Sequence, residues 1–167
     1  MASRKSAQIT NRDAIPSVLN TASNGPANSA FSAVGLVTAV LPTDVSGAIS
    51  RMMEVPTNCR VASVRLWCAA LGGSAAADVG VYRNTRDGGA VVDADLFASA
   101  QTLVSAVNGT EISNESTVYT LAKREQPLWQ AAGLSADPGG TFDICCTLTQ
   151  TVAASGAVLI EVGGSLP

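Results

Sequence analysis

Residues able to carry acid–base, nucleophilic or metal chemistry are few in this chain. Its 167 residues include no histidine, which excludes a Ser-His-Asp or Cys-His catalytic centre and a Cys/His zinc site. Asp93 and Asp95 together form a candidate calcium site, since hard cations prefer carboxylate oxygens. The alternative is that both lie in the first turn of a helix, where free N–H groups attract acidic side chains. We favour the helix start, and predict neither a metal nor a cofactor.

Paired carboxylates could also serve a glycosidase, which holds two of them about 5–9 Å apart in a cleft. The candidates Glu54, Asp78 and Glu111 are scattered along the sequence, and no recognisable motif surrounds them. The sequence contains neither a nucleophile elbow nor a glycine-rich phosphate loop. It therefore predicts that the protein is not an enzyme and has no catalytic residues.

The four cysteines show no zinc or redox spacing. None of Cys59, Cys68, Cys145 and Cys146 belongs to a CxxC pair. Cys145 and Cys146 are adjacent, so on a strand their side chains point to opposite faces and cannot chelate together. The favoured interpretation is reduced thiols that pack as small apolar residues. A Cys59–Cys146 disulfide is the alternative.

Charge is sparse along the chain. Charged residues make up 14% of the sequence, against about 25% in an average globular chain, and the formal net charge is −3. So little charge favours a surface that is partly covered by a partner or by other copies of the chain. The negative balance argues against nucleic acid as a partner. Neither a signal peptide nor an apolar run long enough for a membrane span is present, so we predict no membrane partner.

The first thirty residues differ from the rest. They are rich in Ser, Asn, Ala and Thr, contain two prolines and lack a sustained hydrophobic period. We predict an extended N-terminal arm over residues 1–30 and a β-sandwich domain over residues 31–167. Ordering a backbone costs roughly 1–2 kcal/mol per residue, so the arm is expected to become ordered only against neighbours. The arm residues expected to contact the neighbours are Arg4, Lys5, Ile9, Arg12 and Ile15.

Beyond the arm, short apolar stretches alternate with Gly, Pro and Asp turns. Strands are predicted over residues 31–41, 47–55, 60–71, 77–83, 115–121, 141–150 and 156–163. In 60–71 a period of two places Ala62 and Val64 on one face, and Val61 and Trp67 on the other. Strands of this length and spacing predict an all-β fold, a jelly-roll-like β-sandwich with an extended N-terminal arm and one or two short helical turns.

Helical structure is predicted at two places. Leu96, Ala100 and Leu103 share a helical spacing, which predicts a short helix or turn over residues 93–103. Residues 126–133 have a proline near the start and a glycine at the end, which is typical of one or two helical turns.

Three aromatic residues are candidate surface anchors: Trp67, Tyr82 and Trp129. Exposed aromatic side chains often carry much of the binding energy of an interface. For Trp67 the favoured alternative is packing, either under the arm or against the second sheet.

Four segments resemble parts of small tailed-bacteriophage proteins that are encoded beside the major capsid gene. They are residues 80–97 (GVYRNTRDGGAVVDADLF), 115–119 (ESTVY), 127–138 (PLWQAAGLSADP) and 8–14 (QITNRDA). The resemblance spans most of the chain, and its motifs consist of turn and packing residues. It therefore bears on the family and brings no catalytic residues with it.

The resemblance implies a head cement or decoration protein that clamps capsid subunits. The implied partners are the major capsid protein and the protein itself, as a homodimer or homotrimer. The implied location is the exterior of the phage head, after synthesis in the host cytoplasm. The alternative is a head-fibre or tail-associated β-sandwich that binds host surface glycans through Trp67, Tyr82 or Trp129.

Overall fold

Nine strands, two short α-helices and a 3₁₀ turn over Thr85–Asp87 are the main elements of the described part of the chain. The computed structural model describes residues 3–5, 9–10, 13–14, 30–114 and 118–166. The strands are β1 (Ser3–Lys5), β2 (Ala30–Val40), β3 (Ile49–Pro56), β4 (Arg60–Cys68), β5 (Ala76–Arg83), β6 (Val91–Thr102), β7 (Val107–Glu111), β8 (Thr141–Leu148) and β9 (Gly156–Ser165). The helices are α1 (Leu121–Glu125) and α2 (Leu128–Ala131).

Two sheets contain all of these strands. One has the order β1-β3-β8-β5-β6 and the other β2-β9-β4-β7. Strands from the first half of the chain pair antiparallel with strands from the second: β2 with β9, β3 with β8, β4 with β7 and β5 with β6. The chain is thus one long nested hairpin folded into two sheets, which is the strand order of a jelly roll. The prediction of an all-β sandwich is confirmed.

The core lies between the inward faces of the two sheets. Alternation in β8 points Phe142 and Ile144 inward, as the period of two predicts. From the other sheet, Val64 and Ile160 meet them in the same buried cluster. Phe97 and Tyr119 add an edge-to-face aromatic pair with ring centroids 5.0 Å apart. Burial of these side chains at about 25 cal/mol per Å² is the main stabilising contribution.

The predicted helix over residues 93–103 is wrong, because this segment belongs to β6. Val79 on β5 lies opposite Ala98 on β6, and Val81 lies opposite Asp93. Between these two pairs β6 therefore contains more residues than β5, which makes it a bulged strand. Within the bulged strand, Ala100 has a φ of 52°. Its N–H donates to the carboxylate of Asp78 at 2.7 Å. A contact from another strand thus supports a backbone shape that the local pattern does not reveal.

A second bulge changes the predicted faces of β4. Val64 is buried as expected, but Val61 is also buried whereas Ala62 is exposed. The register with β9 shifts between Val61 and Ser63, so the side chains before the shift point to the opposite faces from those that the period of two predicts. The prediction that Ala62 lies on the apolar face is therefore wrong.

Between β7 and β8 the chain is helical. The predicted strand over residues 115–121 is wrong where the structure describes it: residues 118–120 form a turn and Leu121 begins α1. Residues 115–117 lie outside the described ones. The predicted helical turn over 126–133 is confirmed by α2, which follows Pro127. In the described part of the chain, no helix has the length and apolar character needed to cross a membrane.

Candidate interaction surfaces

The described residues of the predicted arm lie on the body of the same chain. Ser3–Lys5 forms β1, which pairs in parallel with β3 at the edge of the five-stranded sheet. From β1, Arg4 reaches the loop between β2 and β3, where its Nε and Nη2 each donate a hydrogen bond of 2.7 Å to the carboxylate of Asp44. Asp44 is only 2% exposed and also accepts the N–H of Leu41 at 2.8 Å. Arg4 therefore neutralises a buried carboxylate.

The Arg4–Asp44 contact is sensitive to acid. The hydrogen bond from Arg4 lowers the pKa of the Asp44 carboxyl below its ordinary value, and the same bond raises the pKa of Arg4. A carboxyl whose pKa is lower in the folded state contributes stability above its unfolded pKa. That contribution is lost as the pH falls through the folded pKa. The contact therefore holds at neutral pH and weakens in acid.

A second attachment holds the arm further along. Lys5 Nζ lies 2.6 Å from Asp13, and the hydroxyl of Thr85 donates to the Asp13 carboxylate at 2.8 and 2.9 Å. Ile9, between these two arm residues, is fully buried. The first attachment lies beside β3, and the second lies at Thr85, just after β5. Because β8 is between β3 and β5 in the sheet, the two attachments are on either side of β8. The described arm residues thus contact the body on both sides of the central strand.

The predicted contacts of the arm with neighbours stay predictions. Arg4, Lys5 and Ile9 are engaged within this chain, and no second molecule is present to test their role. Arg12 and Ile15 lie outside the described residues. The division of the chain at residue 30 also stays a prediction, although β2 begins at Ala30.

Trp67 belongs to an apolar row on the outward face of the four-stranded sheet. Leu36 on β2 lies opposite Leu159 on β9, which lies opposite Trp67 on β4. Directly opposed residues share a face, so the three side chains form a row across three strands. Leu36 is 43% exposed, and Leu159 and Trp67 are half-buried. We call Leu36, Leu159 and Trp67 the apolar row.

The indole of Trp67 is held over a glycine on β7. A Cβ built on Gly109 would lie 3.1 Å from the indole ring, and the φ of Gly109 is +71°. Glycine is therefore required both for the backbone conformation and for the space under the ring. Because one face of the indole rests on the sheet, the opposite face is the one available to a partner.

Tyr82 is not a surface residue, so its prediction as a surface anchor is wrong. It is 4% exposed, and its hydroxyl is 2.8 Å from the Thr147 hydroxyl. Burial raises the pKa of Tyr82 above its ordinary value. The Arg51 guanidinium lies 5.7 Å from the centroid of the tyrosine ring. The ring therefore packs within the fold rather than facing a partner.

Trp129 is half-buried in α2. Its backbone N–H donates to the carbonyl of Thr57 at 2.9 Å, and its side chain packs against the core cluster. Only part of the indole faces solvent. Its role as a surface anchor stays a prediction.

A buried ion pair escaped the sequence analysis. Arg51 Nη1 donates to the Asp143 carboxylate at 2.7 Å, and the Asp143 side chain is 0% exposed. The same guanidinium donates to the carbonyls of Arg83 at 3.0 Å and Gly89 at 2.7 Å. It therefore ties β3 to β8, β5 and the turn after β5. The available signal was Asp143 as the one charged residue of β8 and Arg51 as the one basic residue of β3, but the sequence does not pair them.

Asp93 and Asp95 are close together on β6, but they do not begin a helix. The pKa of Asp93 is raised, first by burial and then by the hydrogen bond and negative charge of Asp95; Lys123 of α1 opposes the shift. Among the described residues, no group of three or more His, Cys, Asp or Glu side chains is arranged to hold a metal ion. The two carboxyls are neighbouring acidic groups within the bulged strand, and Asp95 disfavours the ionised form of Asp93.

Replacing Asp93 with asparagine is expected to stabilise the protein at neutral pH. The raised pKa means that the Asp93 contribution is fully favourable below the unfolded pKa and is lost as the pH rises through the folded pKa. Asparagine cannot ionise, so the Asp93→Asn protein does not lose this stability as the pH rises. Denaturant unfolding from about pH 4 to pH 8 should show a higher midpoint for Asp93→Asn in the upper part of this range. The exposed Glu125→Gln serves as the charge control, and a lower midpoint for Asp93→Asn at neutral pH would contradict the interpretation.

The other carboxylates considered as catalytic are used in the fold. Asp78 accepts the N–H of Ala100, and Glu111 accepts the N–H of Val64 at 3.0 Å and binds the hydroxyl of Ser113. Glu54 accepts the hydroxyl of Thr141 at 3.4 Å. Each therefore has a structural contact on a different element.

The cysteines are free and buried, so the alternative of a Cys59–Cys146 disulfide is wrong. Burial raises the pKa of Cys59 and of Cys146 to about 12, and that of Cys68 to about 11. A thiol with so high a pKa is almost entirely protonated at neutral pH and is a poor nucleophile. The interpretation of the cysteines as packed, reduced thiols is confirmed.

The described strands define an all-β sandwich. No protein-family model matches the chain, and no curated protein sequence matches it. Among solved structures, a chain of the capsid of Ralstonia phage GP4 is similar, with a TM-score of 0.67 and 13% identity over 99% of each chain. A chain of the cyanophage Pam1 capsid asymmetric unit has a TM-score of 0.52 and 16% identity, covering 93% of this chain and 97% of that one. At these identities the likeness establishes a shared fold.

Proposed function

We propose that this protein is a structural component of a phage virion, namely a cement or decoration protein that binds the head exterior. It acts as a homo-oligomer and stabilises the shell, its partners being the major capsid protein and other copies of itself. The observation that carries the proposal is the correspondence of fold with a chain of the Ralstonia phage GP4 capsid over 99% of both chains. The role is non-enzymatic, and the protein reaches the head after synthesis in the host cytoplasm.

The apolar row supports this role as a contact surface. Leu36, Leu159 and Trp67 lie on the outward face of the four-stranded sheet, and the adjacent Val34 is 41% exposed. The next row across the sheet contains Glu161 opposite Arg65, which provides polar contacts beside the apolar ones. An apolar centre with a polar margin is the usual anatomy of a protein interface.

A small contact surface can give strong binding when many copies of the protein bind around a symmetric shell. A single row of three apolar side chains gives weak binding on its own. If the copies are linked to one another, each contact after the first becomes intramolecular, and avidity increases strongly without any new contact. A cement protein therefore needs a repeated surface rather than one deep pocket.

The proposal is tested with heads of the phage that encodes the protein, prepared without it. Added wild-type protein should co-sediment with the heads, and a cryo-EM map should contain additional density on the outer surface of the shell. Heads with the protein bound should release DNA at a higher temperature than bare heads. Absence of binding at saturating protein would overturn the proposal.

Two matched leucine variants locate the contact on the sheet. Leu36→Ala should weaken head binding by about tenfold, whereas Leu121→Ala should leave it unchanged, although Leu121 is 82% exposed. Deleting residues 1–30 is expected to abolish head binding; because the deletion also removes the Arg4–Asp44 ion pair and the buried Ile9, circular dichroism checks that the body remains folded. If the protein ignores heads but binds host glycans in a manner lost on Trp67→Ala, the alternative of a recognition module replaces this proposal.

A further inference from the structure

We propose that the edge of β3, with Asp44 and Thr85, is an acceptor site for the arm of a second copy of this chain. In the assembled oligomer, residues 3–13 would pass to a neighbour and make there the contacts that they make here within one chain. This inference rests on the proposed homo-oligomeric function and names the surface that joins the copies.

The acceptor is built for a specific strand. β1 has only three residues, and its parallel register sets Ser3 beside Ile49 and Lys5 beside Arg51. Every other strand pairing in the described part of the chain is antiparallel. Addition of a short strand to an exposed sheet edge is a recurring way of binding a peptide. The edge of β3 provides such a site.

Asp44 gives the acceptor its preference for an arginine. Its carboxylate is buried in the loop after β2 and receives two hydrogen bonds from Arg4 in a forked arrangement. Arg4 itself helps to cover this carboxylate, so departure of the arm removes both its cation and two of its hydrogen bonds. The site therefore favours occupation by an arm, and the chemistry does not distinguish an arm of the same chain from that of a neighbour.

The second attachment makes the arm a transferable unit. The contacts of Lys5 with Asp13 lie within the arm, and the contact of Asp13 with Thr85 joins the arm to the body. Among the described contacts, Asp44 and Thr85 on the body thus bind Arg4 and Asp13 of the arm. Exchange of an identical element between copies preserves each contact and is a low-cost route to oligomers.

The connection between arm and body allows the exchange. Residues 14–29 contain Pro16 and Pro26, and prolines favour extended backbone. A connector of this length can span roughly 50 Å when extended, enough to reach an adjacent domain of this size. On a shell, neighbouring copies are held close together, which raises the effective concentration of foreign arms.

A disulfide trap tests the exchange. Ser3→Cys and Ile49→Cys are made in separate proteins, mixed in equal amounts, oxidised and examined on a non-reducing gel, both in solution and on heads. Neither variant alone can join β1 to β3, and the four native thiols are buried. Exchange predicts that the mixture forms a dimer bridged between Cys at position 3 of one chain and Cys at position 49 of the other, identified by mass spectrometry of the linked peptides, whereas either variant alone can form only a symmetric bridge. The chain that carries both substitutions is the control for geometry.

The possible outcomes separate this inference from the proposed function. A dimer in the mixture supports exchange, even if heads are not bound. Head binding without a dimer, while the doubly substituted chain forms an internal bridge, overturns exchange and leaves the function in place. Failure of the doubly substituted chain to form any bridge overturns the β1–β3 site itself.

Reversal of the Arg4–Asp44 charges provides a second measurement. Arg4→Asp and Asp44→Arg should each lower the amount of oligomer seen by native mass spectrometry by about tenfold. Mixing the two variants should restore it, because reciprocal exchange places an acidic arm beside a basic acceptor and a basic arm beside Asp44. If the mixture behaves as the sum of its parts, exchange is wrong.

Discussion

Asp143→Asn is expected to lower the free energy of unfolding by about 3–5 kcal/mol, the largest effect of any polar substitution considered. The substitution removes the negative charge but keeps a side chain of similar size. Arg51 then remains buried, with its guanidinium charge uncompensated, while it still donates to the carbonyls of Arg83 and Gly89. Urea denaturation followed by tryptophan fluorescence measures the change.

Two controls separate the charge effect from general damage. Glu161→Gln removes a carboxylate from an exposed hydrogen bond with Ser32, so its effect should be within about 0.5 kcal/mol. The double variant Arg51→Met/Asp143→Leu removes both charges and should recover much of the loss. An Asp143→Asn protein as stable as the wild type would show that the pair contributes nothing.

Gly80→Ala is expected to cost about 3 kcal/mol, at the upper end for an overpacking substitution. Gly80 lies on β5 where the bulge of β6 crosses it, and an added Cβ would overlap the carbonyl oxygen of Asp93 and the backbone of Ala94. Because the obstructing atoms belong to a backbone, no side-chain rotation relieves the overlap. Urea midpoints measure the loss, and amide NMR shifts should locate the distortion in β6.

Gly163→Ala is the matched control for Gly80→Ala. Gly163 also lies in a strand, but its added Cβ would meet only the Ser63 hydroxyl, at 2.8 Å, which can rotate away. Its effect should be below about 1 kcal/mol. If the two variants are equally stable, the close approach of β6 to Gly80 is wrong.

The elements that the sequence predicts well are those with local causes. β8 was predicted because Phe142, Ile144 and their alternating neighbours repeat with a period of two. The turn of α2 was predicted because Pro127 can precede a helix and Gly133 can end one. Patterns of this kind depend on residues a few positions apart, so one sequence is enough to recognise them.

β6 was missed because its shape depends on partners elsewhere in the chain. The bulge requires Gly80 on β5 and the carboxylate of Asp78, which holds the N–H of Ala100. Without them, the spacing of Leu96 and Leu103 indicates a helix. A bulged strand can imitate the helical period, and only the register with its neighbour distinguishes the two.

The candidate site shows the same limit. Trp67 was identified from the sequence, but Leu36 and Leu159 join it only through the pairing of β2, β9 and β4. Arg4 was singled out, but its buried partner Asp44 was not. Contacts between distant segments follow from topology, and topology was predicted only at the level of a β-sandwich.

The nested pairing of strands also determines when the protein can fold. The outermost pair joins β2, the first long strand, to β9, the last, with Ala30 beside Ser165. The four-stranded sheet therefore cannot close until β9 has left the ribosome, and pairings of such long sequence separation form slowly. The face of β2 remains open during synthesis. Closure of this sheet is therefore expected only after β9 has been synthesised, and a folding assistant that shields β2 until then would increase the yield of soluble protein.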